Sequence, residues 1–392
     1  MNRTARALIL SLLAVGVLAV VACGGGTDGA KATASSAAPG AAATRTPTQS
    51  PAAAIALPES VPNRVELTGA GATFPYPLYS KWFDEYSKTV DPNVRINYQS
   101  IGSGGGIKQI TERTVDFGAT DGFMNEEQLA AAPGILHIPM TLGAVVPTYN
   151  LPGVTAELKF TGEVLAGIYL GQIKKWNDQR LKDLNPGINL PDADLTVVHR
   201  SDGSGTTYIF TDYLSTISPE WRQRVGTGTS VNWPVGIGGK GNEGVTAVVK
   251  QTPGAIGYVE LIYAEQNKLP YGAVRNRAGQ FVKASLDTVS AAAAGAAASA
   301  PDHLRISIVN ADGPNAYPIA GFTWLLVYDT MTDPLKAQAL TGFMWWALHD
   351  PRAQQIQRQL LYAPVPPEIV TKAERLIRSI TVNGQPALKL RQ

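Results

Sequence analysis

Cysteine is all but missing from this chain of 392 residues: Cys23 is the only one. That excludes an internal disulfide and any thiolate cluster for a metal. Histidine is scarce as well, and His137, His199, His303 and His349 lie far apart, without the close spacing of a zinc-binding helix. Neither sign of charge is in excess: Lys and Arg number 33 against 31 Asp and Glu, a formal net charge of +2. Nothing global marks a polyanion such as nucleic acid as a partner, so any anion site must be local. Long apolar runs are lacking too. The uncharged stretch at residues 7–22 is too short and too abruptly ended for a membrane span.

What the amino end does contain reads as a processing signal. Arg3 and Arg6 precede the uncharged stretch, which stops at Val20-Val21-Ala22-Cys23, a segment similar to a lipoprotein cleavage site. Residues 1–22 are therefore expected to be a signal peptide. Lipid on Cys23 would then hold the mature chain on the outer face of a cell membrane; ordinary secretion with an incidental cysteine is the alternative. From residue 23 to 62 the chain is Ala, Gly, Ser, Thr and Pro with almost no large apolar side chain, which predicts a flexible tether. The remaining length suffices for two domains, each burying its own core.

Order is expected from about Arg64. A short strand at Val65-Glu66-Leu67-Thr68 runs into the small-residue turn Gly69 to Pro75, and Leu78, Tyr79, Trp82, Phe83 and Tyr86 follow at helical spacing as one apolar stripe. Val94, Ile96 and Tyr98 alternate as a strand, and Gly102 to Gly106 opens a second helix. Phe117 to Ala119 begins a third such unit, with Asn125 as a helix cap. Strands are predicted at Val145 to Asn150, Leu195 to His199, Ala255 to Val259 and Phe322 to Tyr328, with helices around Val164 to Leu170, Phe343 to Leu348 and Ile369 to Ile380. The Ala-rich run from Ala291 to Ala300 fits a surface helix or a loose insertion equally well. Alternating strands and helices indicate an α/β protein with largely parallel sheets.

The recurring design is a strand delivered into Gly, Ser and Thr just before a helix. In open α/β sheets ligands settle there, where helix amino ends present unpaired N–H groups and a positive dipole end. Thr73, Ser103, Ser204 and Thr206 add hydroxyl donors, and Arg200 offers a planar fork to an oxyanion. Asp202 either steadies that guanidinium or caps a helix. Asp121 is the odd member, since a carboxylate repels an anion unless the anion carries a proton. It then accepts a hydrogen bond that phosphate can donate and fully ionised sulfate cannot, which makes it a specificity element; a helix cap is the plain alternative. Catalytic motifs fail: neither Ser103 nor Ser204 sits in G-x-S-x-G, Gly236 to Gly241 lacks the upstream glycine and the Ser or Thr of a nucleotide-binding loop, and Gly69 to Phe74 lacks the third dinucleotide glycine.

Ordered segments carry a resemblance. Leu67-Thr-Gly-Ala-Gly-Ala-Thr-Phe-Pro75, Ile101-Gly-Ser-Gly-Gly-Gly106, Val115-Asp-Phe-Gly-Ala-Thr-Asp121, Ile168-Tyr-Leu-Gly-Gln-Ile-Lys-Lys-Trp176, Arg200-Ser-Asp-Gly-Ser-Gly-Thr206 and Pro253-Gly-Ala-Ile-Gly-Tyr-Val-Glu260 closely resemble the phosphate-binding subunit of the phosphate-specific ABC transporter. The resemblance implies a type II periplasmic-binding-protein fold, two α/β lobes with a ligand cleft between them, lobe I being residues 63–145 plus 318–392 and lobe II residues 146–317. It implies phosphate binding by Thr73, Phe74, Ser103, Asp121, Arg200, Ser204, Gly205 and Thr206, with Asp202 paired to the arginine. Hinge closure near Val145 and Tyr317-Pro318 would bury the anion and form the surface read by membrane permease subunits. A monomer is implied, with no cofactor, metal or covalent chemistry. Gly104 and His199 depart from the pattern, where a second serine and a second basic residue are common. A secreted phosphatase and a surface sensory or adhesion module are the competing readings; the first needs an activated nucleophile or metal cluster, and neither is visible.

Overall fold

The structure is a computed structural model and describes residues 56–391. The expected signal peptide, Cys23 and most of the expected tether lie outside the described residues. The end of that tether does not fit the expectation. Val61 is buried and its N–H donates to Asp91 Oδ2 at 2.8 Å, Pro58 bridges Leu390, and the Trp345 indole donates to the Ala56 carbonyl. Backbone bonds from Glu59 N–H to the Lys389 carbonyl and from Arg391 N–H to the Leu57 carbonyl pair this segment with the carboxyl end of the chain.

Strand β1 (Val65–Gly71), helix α1 (Tyr76–Thr89), β2 (Val94–Ser100), α2 (Ser103–Thr111) and β3 (Phe117–Thr120) lay down parallel strands, with β1 between β2 and β3. Helix α3 (Glu126–Ala131) opens with a capping box between Asn125 and Gln128, and β4 (Ile135–Asn150) follows. Next come β5 (Lys159–Phe160), α4 (Gly162–Tyr169), α5 (Gln179–Leu184), β6 (Thr196–Arg200), α6 (Gly205–Ile217) and α7 (Pro219–Arg224). The chain continues through β7 (Ile237–Gly239), α8 (Gly241–Gln251), β8 (Ala255–Glu260), α9 (Leu261–Gln266), β9 (Ala273–Arg275), β10 (Phe281–Val282) and α10 (Leu286–Ala297). It ends with β11 (Ala320–Tyr328), β12 (Thr330–Met331), α11 (Pro334–His349), α12 (Pro351–Gln359), α13 (Pro367–Ser379), β13 (Thr381–Val382) and β14 (Gln385–Pro386).

The main sheet has 8 strands in the order β2-β1-β3-β11-β4-β8-β6-β7. Its flanks are parallel, as expected, but its centre is not: β11 runs antiparallel to β3 and β4, and β4 antiparallel to β8. The reason is the length of β4. Its first part, to Ala144, pairs with β11, and from Val145 onward it pairs with β8, so one strand passes from one α/β lobe to the other without a crossover helix. A single apolar cluster consequently runs through both lobes, in place of the separate cores anticipated from length.

The predicted stripe of α1 is buried, and the Trp82 indole donates to the Ala353 carbonyl at 2.8 Å. Each such large side chain contributes about 1.5–3 kcal/mol by leaving water. Helix α11 is buried on every side from Ala337 to Leu348, as a central helix must be if it is apolar all round. The Ala-rich run is a docked helix: Ser285 and Thr288 form a capping box, and Val289, Ala292, Ala293 and Ala297 face the core.

Candidate functional site

Carboxyl ends of strands from both lobes converge on one cleft. β1 feeds Thr73 and Phe74, the turn after β2 feeds Ser103, and β3 ends at Asp121; β6 ends at Arg200 and leads into Ser204, Gly205 and Thr206. These residues are brought together. The Gly205 N–H donates to Ser103 Oγ at 3.0 Å, and the Gly104 N–H to the Gly203 carbonyl at 3.0 Å. Glycine is required at 205, where a Cβ would lie 2.5 Å from Asp121 Cβ; one on Gly104 would lie 3.1 Å from Gly203 Cα, a tight contact that a small shift relieves. The departure at Gly104 thus coincides with a backbone bridge between the lobes. Thr73, Phe74, Ser103, Asp121, Arg200, Ser204 and Thr206 are buried, Thr73 and Arg200 each 3% exposed and the rest less.

Arg200 and Asp202 form the site's fixed charge pair. Arg200 Nε donates to Asp202 Oδ1 at 2.8 Å and Nη2 to Oδ2 at 2.5 Å, while Nη1 points to Thr206 Oγ1 at 3.4 Å. Burial works against ionisation of Asp202, but the guanidinium and the Gly241 N–H outweigh it and hold the carboxyl below its ordinary range. Asp202 does not cap α6, whose cap is Ser204 through its Oγ and the Thr207 N–H. It serves the arginine and the first residue of α8.

Asp121 is placed oppositely. Burial drives its pKa up from 3.8 to about 7, against the lowering influence of Thr323, Arg200 and Ser103. Thr323 Oγ1 donates to Oδ1 at 2.8 Å, and Ser103 Oγ lies 3.5 Å from Oδ2. Near neutrality the carboxyl shares its site between the protonated and ionised forms. Asn125, not Asp121, caps α3.

The hydroxyl groups have a defined polarity. Ser103 Oγ accepts from the Asp121 N–H at 3.2 Å as well as from Gly205, and Ser204 Oγ accepts from Thr207. Thr73 Oγ1 accepts from the main-chain N–H of Asn242 at 3.2 Å and from its Nδ2 at 2.8 Å; Thr206 Oγ1 accepts from the same Nδ2 at 3.1 Å. A hydroxyl whose lone pairs receive N–H donors has its proton left to give. The cleft therefore presents donors from several directions and one carboxyl able to accept, which suits an oxyanion that carries a proton.

Several contributing residues were missed from the sequence. Asn242 follows the Gly236 to Gly241 loop that fails as a nucleotide-binding motif; as part of an α8 amino end it was the available signal. Glu260 closes the Pro253 to Glu260 segment, and burial pushes its carboxyl well up although the Ile262 N–H donates to it. Its Oε1 has no hydrogen-bond partner among the described residues. The Tyr362 hydroxyl donates to the Phe74 carbonyl and the Tyr263 hydroxyl to the Thr73 carbonyl, each at 2.6 Å, fixing the β1–α1 turn from distant parts of the chain. Thr323 comes from β11, and nothing near it in sequence marks it. His199 stacks on Trp233 with ring centroids 4.9 Å apart.

The model of the PBP superfamily domain matches residues 34–351. Phosphate-binding protein PstS of Pasteurella multocida is 46% identical over 309 residues, covering 79% of this chain and 88% of that protein. The protein of the same name from Xylella fastidiosa is 45% identical over 311 residues, 79% of this chain and 84% of its own length. The fold also superposes on a high-affinity periplasmic phosphate-binding protein bound with phosphate, with a TM-score of 0.63 at 20% identity, across 80% of this chain and 94% of that one. The chain belongs to the PBP superfamily and, within it, to the PstS family of phosphate-binding proteins.

Proposed function

We propose that this chain captures inorganic phosphate and delivers it to the permease of an ABC importer. One observation carries the reading: the hydroxyls of Thr73 and Thr206 accept N–H donors through their oxygens and so turn their protons to a guest, while Asp121, poised near neutrality beside the Thr323 and Ser103 hydroxyls, is the acceptor. Thr73, Phe74, Ser103 and Asp121 hold phosphate from lobe I, and Arg200, Ser204, Gly205 and Thr206 from lobe II. Asp202 keeps the guanidinium aligned. Asp121 takes the phosphate proton; sulfate, with only acceptors, would leave that carboxylate repelled and unpaired.

Lobe I is residues 63–145 with 318–392 and lobe II residues 146–317, closing about the two crossings. In support, β4 changes partner between Ala144 and Val145, and the Val145 N–H donates to the Ile319 carbonyl. The chain works outside the cytoplasm as a monomer, held to the outer membrane face through lipid on Cys23, and performs no covalent chemistry. Membrane permease subunits read the closed surface. Calorimetric titration of the intact protein tests the central point: tight binding of phosphate and negligible heat with sulfate are expected, and silence with phosphate would end the proposal.

A further inference from the structure

Asn242, at the amino end of α8, touches both lobes through Thr73 and Thr206. A backbone group fixes the orientation of its amide: Oδ1 accepts the Glu260 N–H at 2.9 Å, so Nδ2 is the atom facing Thr73 Oγ1 at 2.8 Å and Thr206 Oγ1 at 3.1 Å. The main-chain N–H of Asn242 supplies Thr73 with a second donor, and Arg200 Nη1 does so for Thr206. Both lone pairs of each hydroxyl oxygen are then engaged. Neither threonine can accept a hydrogen bond from a ligand without giving one up.

We infer that Asn242 is a positioning residue for oxyanion recognition, making Thr73 and Thr206 obligate donors while tying the β1–α1 turn to the start of α6. The inference rests on the phosphate reading above. It depends on the direction of the amide and not merely on its bulk, because it is the N–H₂ end that sets the hydroxyl protons free. An aspartate in its place has nearly the same shape with the opposite polarity. Its free oxygen would attract the two hydroxyl protons and turn their oxygens toward the anion. Alanine would remove the amide and leave the main-chain donor and Arg200 in place.

Phosphate titration of the full chain and of variants tests this. Asn242→Ala is expected to weaken phosphate about 10-fold, the scale of one or two hydrogen bonds, and Asn242→Asp about 100-fold or more despite its closer shape. In a Thr206→Val background, Asn242→Ala should cost only about 3-fold, because half of what it acts through is gone. A purely structural asparagine would give Asn242→Ala the same factor in both backgrounds, and that result overturns the inference. Should Asn242→Asp not fold, the cycle with Thr206→Val decides alone. Wild-type protein that fails to bind phosphate would instead sink the proposed function, so the two failures are distinguishable.

Discussion

Two carboxylates of one site are driven in opposite directions. Asp202 receives the Arg200 fork and the Gly241 N–H and is held below its ordinary range. Asp121, with hydroxyls alone in contact and no ion-pair partner among the described residues, is raised to about 7. Burial raises both, more completely at Asp121, and the guanidinium beside Asp202 outweighs it there and keeps that carboxyl charged. A site with one carboxylate neutralised by a cation and another free to take a proton can hold an anion and also sense whether it is protonated.

Removing the cation is the severest way to break that contrast. Arg200→Met would leave Asp202 without its partner and the anion without its fork; phosphate affinity should fall by about 1000-fold or more, and the ligand-free protein should lose about 3 kcal/mol in urea unfolding. Unchanged stability would mean that the pair is not coupled as described. Next in size is a pH effect. Asp121 binds its proton more tightly folded, with a pKa of about 7 against 3.8. Its contribution to stability is therefore complete at low pH and declines as pH rises from about 4 through about 7. Asp121→Asn abolishes that decline, so the variant should gain on the wild type by up to about 4 kcal/mol at pH 8 and little at pH 3. A slope of the same sign should persist, since Glu260 is raised too. Parallel curves for the two proteins would refute the assignment. The mildest intervention is Gly205→Ala, whose Cβ would press on Asp121. It should force the acceptor from the donors, weaken phosphate by roughly 10- to 100-fold and cost about 1–3 kcal/mol in unfolding, because the added carbon also meets the Asp121 backbone nitrogen.

The donor side of this contrast was legible in the sequence because it is local: Arg200, Asp202, Ser204 and Thr206 lie within one turn, and their chemistry is written in their order. Helix α1 and the cap at Asn125 were legible for the same reason, being set by spacing and by one side chain. What holds Asp121 and the threonines in place was not. Thr323 reaches Asp121 across 202 positions and Asn242 reaches Thr73 across 169, distances that no periodic pattern encodes. The antiparallel centre of the sheet escaped likewise. Val145 to Asn150 reads as an ordinary strand, and only pairing reveals that it is the far half of β4, which extends back to Ile135. Composition also misplaced the start of order, since Val61 bonds to the Asp91 side chain and Pro58 bridges the backbone of Leu390, partners remote in sequence.

The proton-accepting role of Asp121 is tested most directly by competitive titration of phosphate against sulfate, on the wild type and on Asp121→Asn. The wild type should prefer phosphate by on the order of 10⁴, and the variant should lose at least about 100-fold of that preference, chiefly by admitting sulfate. An undiminished preference in the variant would contradict the account, because selectivity would then reside somewhere other than the one carboxyl placed to receive the proton.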